Sequence, residues 1–178
     1  MQQVAIIGAG ELGGATAHLL ARRGIARSIV LVDDRDRVAA GKALDIAQAA
    51  PVEGFATQLS SSNDPSTAAG ADVIVVADRM QGGEWQGEEA FALVKRLSVS
   101  APAAILILAG SSSSDVIERS VGEGGVARRR LIGSAPEALA AAARIGIASA
   151  QDELAATRAS WSKRLGKVEV RTNRPDFD

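Results

Sequence analysis

Three glycines and an aspartate near the amino terminus form the pattern in this sequence that most clearly indicates chemistry. Gly8, Gly10 and Gly13 have the spacing G-x-G-x-x-G, and Asp33 follows 20 residues after the last of them. At this spacing the first glycine permits a sharp turn, the second lets the backbone approach a phosphate, and the third lets a helix pack closely on a sheet. A carboxylate at the position of Asp33 can accept hydrogen bonds from ribose hydroxyls. The pattern predicts a dinucleotide-binding site.

The residues around these glycines have the patterns of a strand, a helix and a second strand. The apolar run Val4 to Ile7 precedes the glycines, the helical run Ala15 to Arg23 follows them, and the apolar run Ile29 to Val32 leads into the aspartate. The amino terminus of the helix would direct unpaired N–H groups and a partial positive charge at a pyrophosphate. The context that the fingerprint requires is therefore present.

The acidic residue after the second strand bears on the choice of cofactor. The carboxylate of Asp33 would repel a 2′-phosphate, which favours NAD over NADP. Arg35 and Arg37 follow closely and could accommodate such a phosphate, so NADP stays open as the less favoured cofactor. A purely structural alternative also stays open, in which the glycines form a packed turn and Asp33 caps a loop.

Apolar runs alternate with helical segments along the rest of the chain, and they define the predicted elements. Strands are predicted at Ala56 to Ser60, Val73 to Val76, Ala104 to Ala109 and Arg130 to Gly133. Helices are predicted at Val38 to Ala49, Ser66 to Gly70, Glu88 to Ser98 and Asp115 to Val121. We expect Pro51 to stop the first of these helices. Unbroken apolar strands between helices indicate a parallel sheet covered on both faces. We expect an α/β, Rossmann-type doubly wound sheet of about six strands over residues 1–134, and a short helical extension and tail over residues 135–178.

Composition excludes several classes of function. The net charge of −1 over 178 residues argues against electrostatic binding to nucleic acid or to an anionic membrane. The absence of cysteine excludes disulfides, thiolate zinc sites and a cysteine nucleophile. No apolar run approaches the ~20 residues that span a bilayer. We expect a cytoplasmic protein with no metal site.

From Val4 to Gly133 the sequence resembles the cofactor domain of the malate and lactate dehydrogenase family, specifically its bacterial NAD-dependent malate dehydrogenases. Besides the glycine motif, the resemblance rests on G-K-A-L-D-I at Gly41 to Ile46, A-P-V-E-G-F at Ala50 to Phe55, N-D at Asn63 and Asp64, D-V-I-V-V at Asp72 to Val76, P-x-A-I at Pro102 to Ile105 and R-L-I-G at Arg130 to Gly133. The resemblance implies the strand order 3-2-1-4-5-6 and an NAD cleft at the carboxyl ends of the strands.

The fingerprint and the resemblance together select the residues that we expect to contact NAD. These residues are Gly8, Gly10, Glu11, Leu12, Gly13, Asp33, Asp34, Ala77, Asp78, Arg79 and Ser111. Ser111 stands where the family has an asparagine that contacts substrate and nicotinamide ribose. It opens the run Ser111 to Ser114, which has no nearby base and is expected to form a polar turn.

The resemblance fails at the positions that carry the family's chemistry. The family's proton-exchanging histidine lies in a C-terminal substrate domain that this chain is expected to lack, and His18, on the first helix, is expected to be a packing or surface residue. Two substrate-binding arginines of the family align with Gly82 and Glu88. The aspartate that orients the histidine and a third arginine align with Leu139 and Ala142. Because these groups act together, we expect no catalytic residue and no hydride transfer by the family mechanism.

Three functions stay open. The favoured one is an NAD(H)-binding protein without dehydrogenase activity. The second is a structural or interaction protein that has lost the cofactor, because A-D-R at Ala77 to Arg79 replaces the family's T-A-G, and Glu11 adds another acid beside the phosphates. The third is an oxidoreductase completed by a partner chain or an enzyme with new chemistry, for which Asp78, Glu84 and Glu88 are the candidate acids.

Two further expectations concern the surface of the protein. The family pairs subunits through the helix that holds G-K-A-L-D-I, so we predict a homodimer with Lys42 to Ile46 near the contact. The basic run Arg128 to Arg130 is expected to be a solvated loop that precedes the last strand.

Overall fold

The computed structural model describes residues 1–110 and 113–134, which belong to the unit Met1–Pro136. Its strands are β1 (Gln3–Ile7), β2 (Ser28–Val32), β3 (Gln58–Ser62), β4 (Val73–Val76), β5 (Ile105–Leu108) and β6 (Leu131–Gly133), and its helices are α1 (Glu11–Arg22), α2 (Asp36–Glu53), α3 (Gly87–Ser100) and α4 (Ser113–Gly122), with short 3-10 helices at Pro65–Ala68 and Arg128–Arg130. Ser111 and the predicted extension, residues 135–178, lie outside the described residues.

The six strands form one parallel sheet in the order β3-β2-β1-β4-β5-β6. This confirms the predicted Rossmann-type fold and its strand order. Ile7, the last residue of β1, pairs with Val32 on one side and Val76 on the other, so three strands end level with one another. The strand order reverses between β1 and β4. In open α/β sheets ligands bind outside the carboxyl ends of the strands at such a reversal.

Apolar side chains cover both faces of the sheet. In β1, Val4 and Ile6 face α1 and α2, whereas Ala5 and Ile7 belong to the cluster that includes α3 and α4. Alternation of this kind follows from the two-residue repeat of a strand. Because both faces are buried, the central strands are apolar throughout. The core is rich in alanine, valine, isoleucine and leucine, as the low aromatic content predicts.

The prediction that Pro51 stops the second helix is wrong, because α2 continues to Glu53. A proline this close to a helix end loses its own N–H bond but leaves the following residues free to remain helical. Glu53 holds the last turn against α1 through its contact with His18 (Nε2 to Oε2, 2.9 Å). The helix ends at Gly54, whose left-handed conformation lets its N–H donate to the carbonyl of Ala50 at 2.8 Å.

The basic run before β6 is also different from the prediction. It forms a 3-10 helix instead of a solvated loop, and the guanidinium of Arg130 donates to the carbonyl oxygens of Ala101 (2.6 Å), Ala104 (2.9 Å) and Ser98 (3.4 Å). These carbonyls lie at the carboxyl end of α3 and in the turn that leads to β5. A cation here satisfies acceptors that the helix cannot pair internally.

Several boundaries also shift. Strand β3 begins at Gln58, two residues later than predicted, and α4 already includes Ser113 and Ser114, so this half of the predicted polar turn is helical. Within the described ranges, no helix is long and apolar enough to cross a membrane.

The contacts of Arg130 lead to a stability prediction. We expect Arg130→Ala to lower the free energy of unfolding by about 1–3 kcal/mol, because three carbonyl groups lose a charged donor. Its exposed neighbour Arg129 is the matched control, and Arg129→Ala should change the value by less than about 0.5 kcal/mol. Urea unfolding followed by circular dichroism measures both. Equal losses in the two variants would contradict the assignment of Arg130 as a helix cap.

Candidate dinucleotide-binding site

The glycine turn joins β1 to α1 at the reversal of the strand order. Gly8 has a φ of +108°, and its N–H donates to the carbonyl of Val32 at 2.7 Å. A Cβ at Gly8 would lie 2.8 Å from the carbonyl oxygen of Ala77, and a Cβ at Gly13 would collide with the carbonyl oxygen of Gly8. The roles predicted for the first glycine in turning and for the third in close packing are therefore confirmed.

The amino terminus of α1 is capped by a distant residue. Gly10 is the N-cap residue and supplies no side-chain hydrogen bond. Asp78 supplies one instead, because its Oδ1 accepts from the N–H of Gly13 at 3.0 Å while its backbone oxygen accepts from the N–H of Gly10 at 2.9 Å. A Cβ at Gly10 would collide with the Asp78 carboxylate. The space predicted to receive a pyrophosphate therefore holds this carboxylate.

Asp33 lies at the end of β2 and is only 3% exposed. Its Oδ2 accepts from the N–H of Ala9 at 2.7 Å and its Oδ1 from the N–H of Arg35 at 3.0 Å. Burial raises the pKa of this carboxyl, but hydrogen bonds from Ala9, Asp34, Arg35 and Met80 outweigh burial, so the pKa lies below its ordinary value. Asp33 is thus an ionised acceptor that joins β2 to the glycine turn. It caps this loop, as the purely structural alternative in the sequence analysis predicted.

Asp34 shares a hydrogen bond with Asp33. This bond raises the pKa of the exposed Asp34 carboxyl, and partial burial and the negative charge of Asp33 raise it further. When protonated, Asp34 donates to Asp33. When ionised, it places a second negative charge beside the first.

The segment between β4 and α3 folds back on itself. The N–H of Arg79 donates to the carbonyl of Gly83 at 2.9 Å, and the Arg79 guanidinium lies 4.4 Å from the centre of the Trp85 ring. The same guanidinium pairs with Glu89 (Nη1 to Oε1, 2.7 Å). Arg79 is therefore committed to contacts within this segment and to the first turn of α3.

Trp85 fills much of the space at the carboxyl ends of β4 and β5. A cavity of about 20 Å³ is left there, lined by Val76, Ala77, Glu84, Trp85, Ala90, Val94, Leu108, Ala109 and Ser113. This volume suffices for about one water molecule. A Cβ at Gly110 would lie 2.7 Å from the carboxyl carbon of Glu84, so the segment also packs closely against the end of β5.

The remaining predicted contact residues have varied environments. The side chain of Glu11 is 94% exposed, and its Oε1 lies 3.7 Å from the Nζ of Lys42. Leu12 is exposed, whereas Ala77 is buried and donates its N–H to the carbonyl of Ile7 at 2.8 Å. Ser111 lies outside the described residues.

Sequence reasoning missed two site residues. Lys42 donates from its Nζ to the carbonyl of Gly10 at 2.8 Å, although the sequence pattern assigned it to a subunit contact. The backbone of Met80 contributes to the lowered pKa of Asp33. Neither residue belongs to the glycine fingerprint, and only the folding of α2 and of the segment after β4 brings them to the turn.

The three candidate acids are held by different groups. Asp78 binds the amino terminus of α1, Glu84 packs against Gly110, and Glu88 forms an ion pair with Arg119. Among residues 1–110 and 113–134, no group of three or more histidine or acidic side chains could hold a metal ion.

The fold and this turn define a Rossmann-type α/β domain with a dinucleotide fingerprint. The family model for the lactate/malate dehydrogenase NAD binding domain matches residues 2–111. The chain therefore belongs to the lactate/malate dehydrogenase family.

Individual relatives agree with this assignment over part of their length. Malate dehydrogenase of Syntrophotalea carbinolica is 49% identical over 74 residues, which are 42% of this chain and 23% of that protein. Malate dehydrogenase of Thioalkalivibrio sulfidiphilus is 43% identical over 76 residues, which are 43% of this chain and 25% of that protein. The matched segment is thus about a quarter of the length of these relatives.

Solved structures show the same fold. Malate dehydrogenase from Salinibacter ruber superposes with a TM-score of 0.63 at 25% identity, over 74% of this chain and 44% of that one. Lactate dehydrogenase from Cryptosporidium parvum superposes with a TM-score of 0.62 at 22% identity, over 74% of this chain and 42% of that one.

The Asp33–Asp34 pair leads to a prediction about pH. Because folding raises the pKa of Asp34, the contribution of this carboxyl to stability is present below its ordinary pKa of 3.8 and is lost as the pH rises through the folded value. An asparagine keeps a donor to Asp33 at every pH. We expect Asp34→Asn to stabilise the protein by roughly 0.5 kcal/mol at neutral pH and by less near pH 4.

Thermal unfolding from pH 4 to pH 7.5 measures this difference. The matched control is Asp45→Asn, which removes an exposed carboxylate on α2 that has no bond to Asp33. If both variants gain the same stability at neutral pH, the gain cannot be assigned to the Asp33–Asp34 pair.

Proposed function

We propose that this chain is an NAD(H)-binding protein of the malate/lactate dehydrogenase type that does not transfer hydride by itself. The observation that carries the proposal is the glycine turn at the sheet reversal, where α1 begins at a glycine that offers no side-chain cap and Asp33 lies beside the turn. A helix start of this kind is suited to bind the phosphates of a dinucleotide when the carboxylate of Asp78, which caps it in this structure, moves aside. The family match over residues 2–111 supports the same ligand.

NAD is the preferred cofactor in this proposal. Asp33 is ionised, since its pKa is lowered, and its charge would repel the additional phosphate of NADP. Asp34 adds a second acid beside it when ionised. Arg35 donates its backbone N–H to Asp33, which fixes the start of α2 close to the acids.

The absence of hydride transfer is proposed from the residues at the family's catalytic positions. Gly82 and Glu88 stand where the family has substrate-binding arginines, and Glu88 is paired with Arg119. Arg79, the neighbouring arginine, is committed to Glu89 and Trp85. His18 is paired with Glu53 at the far end of α2, away from the carboxyl ends of the strands.

A second candidate function is a structural or interaction protein that has lost the cofactor. The specific observation in its favour is that the carboxylate of Asp78 occupies the helix start to which a phosphate would bind. The two functions differ in one measurable property, which is the affinity for the dinucleotide.

Titration with NADH tests the choice between them. We expect saturable binding, seen as quenching of tryptophan fluorescence, with NADPH bound at least tenfold more weakly because Asp33 repels its 2′-phosphate. The variant Asp33→Asn should reduce the difference in affinity between NADH and NADPH. The variant Asp36→Asn changes an exposed acid in the first turn of α2 and should leave this difference unchanged. Failure of saturating NADH and NAD to bind or to raise the unfolding temperature would favour the structural role.

Assays of malate and lactate oxidation test the second half of the proposal. We expect no NADH formation above the buffer rate at protein and NAD concentrations that give full binding, because Gly82 and Glu88 stand where the family has carboxylate-binding arginines. Robust oxidation of either acid would overturn it.

We further propose a homodimer that uses α2. Within Lys42 to Ile46, Leu44 projects outward and is 57% exposed, whereas Ala43 and Ile46 are buried in the core. Sedimentation velocity at micromolar concentration should show a dimer, and Leu44→Glu should convert it to a monomer. Val99→Glu, at a 76% exposed site on α3, is the matched control and should leave the dimer intact. A monomeric unmodified protein would contradict the proposal.

The division at residue 134 and the cytoplasmic location stay predictions. We propose that residues 1–134 are the cofactor domain. The family match to residue 111 supports the first part of this division.

A further inference from the structure

The carboxylate of Asp78 lies where the fingerprint places the phosphates of a dinucleotide. Its Oδ1 accepts from the N–H of Gly13 at 3.0 Å, and the carboxylate covers the face of Gly10 on which a Cβ would project. A glycine at this position normally leaves that face open for a pyrophosphate. Here an anion supplied by the chain itself, 65 residues away in sequence, uses the N–H group and the positive end of α1.

Three hydrogen bonds hold the backbone on either side of this carboxylate in place. The carbonyl of Asp78 accepts from the N–H of Gly10 at 2.9 Å, the preceding residue Ala77 donates to Ile7 at 2.8 Å, and the following residue Arg79 donates to Gly83 at 2.9 Å. The backbone of this segment therefore places the side chain of Asp78 beside the start of α1.

The same segment also reaches the neighbouring part of the site. The backbone of Met80, two residues further on, helps to lower the pKa of Asp33, the residue expected to bind ribose. Residues 78–80 therefore approach both the expected phosphate contact and the expected ribose contact. A dinucleotide has to displace the carboxylate of Asp78 to reach the N–H groups of α1, because a phosphate and a carboxylate at the same helix start repel each other.

We propose that Asp78 is a tethered competitor for the phosphate subsite and sets the affinity of this chain for dinucleotides. The proposal rests on the proposed NAD(H) site and adds the residue that opposes its ligand. The family resemblance places an alanine at this position, in the segment T-A-G. Replacement of Asp78 by alanine should open the subsite and retain the backbone contacts that shape it.

The test compares four proteins: the unmodified chain, Asp78→Ala, Asp78→Asn and Asp72→Ala. We expect Asp78→Ala to bind NADH at least tenfold more tightly than the unmodified chain, and Asp78→Asn to fall between them because it retains bulk but loses charge. Asp72→Ala is the control, since it also removes a carboxylate that accepts a backbone N–H (Gln2, 2.6 Å), but at the opposite end of β4. Its affinity for NADH should be unchanged. Circular dichroism establishes that each variant is folded.

A second readout uses inorganic pyrophosphate and does not require NADH to bind. In amide NMR spectra, pyrophosphate should shift the Gly13 signal of Asp78→Ala at concentrations that leave the Gly13 signal of the unmodified chain and of Asp72→Ala in place. This measures the subsite itself. A structural effect of the substitution alone would not produce saturable, pyrophosphate-dependent shifts.

The outcomes separate this inference from the proposed function. Equal affinities of the unmodified chain and Asp78→Ala for both ligands would overturn the inference and leave NAD(H) binding intact. If no protein binds NADH but pyrophosphate shifts Gly13 in Asp78→Ala alone, Asp78 still competes for the phosphate subsite, whereas its effect on dinucleotide affinity and the proposed function both fail. If pyrophosphate has no effect on Gly13 in Asp78→Ala, the inference is overturned, whether or not NADH binds.

Discussion

The close backbone contact between the glycine turn and the segment after β4 is the constraint on which the candidate site depends. A Cβ at Gly8 would reach the carbonyl groups of Ala77 and Asp78, and a Cβ at Gly13 would reach the carbonyl of Gly8. Only glycine allows β1, α1 and the end of β4 to meet at these distances. This contact sets the position of α1 on the sheet, and it also brings the side chain of Asp78 to the start of that helix.

The same contact explains why two carboxylates lie at the turn. Asp33 binds the N–H of Ala9 from the β2 side, and Asp78 binds the N–H of Gly13 from the β4 side. Backbone N–H groups at a glycine turn and a helix start need acceptors, because the helix cannot supply them internally. In a dinucleotide complex the ligand provides part of this set. In this chain the polypeptide itself provides acceptors for the N–H groups of Ala9 and Gly13.

Much of the fold could be predicted from residue patterns, because the strands and helices are defined by local periodicity. The run Val73 to Val76 has the predicted bounds in β4, and the fingerprint correctly indicated where the sheet order reverses. Errors arose where a distant partner decides the local structure. Pro51 does not end α2, since Glu53 is held against α1, and Arg130 is not a solvated loop residue, since it caps α3. Such partners are 26 to 35 residues away in sequence and leave no local signal.

The glycine turn could be identified from the sequence alone, because it depends on spacing and on the absence of a Cβ at three positions. The resemblance to the malate and lactate dehydrogenases implied the strand order and showed that an acid replaces a small residue after β4. The position of that acid follows from the folded sheet. The sheet places the carboxyl end of β4 beside that of β1. The carboxylate of Asp78 therefore meets the N–H groups of α1. This contact results from strand pairing across the sheet, and no pattern within either segment predicts it.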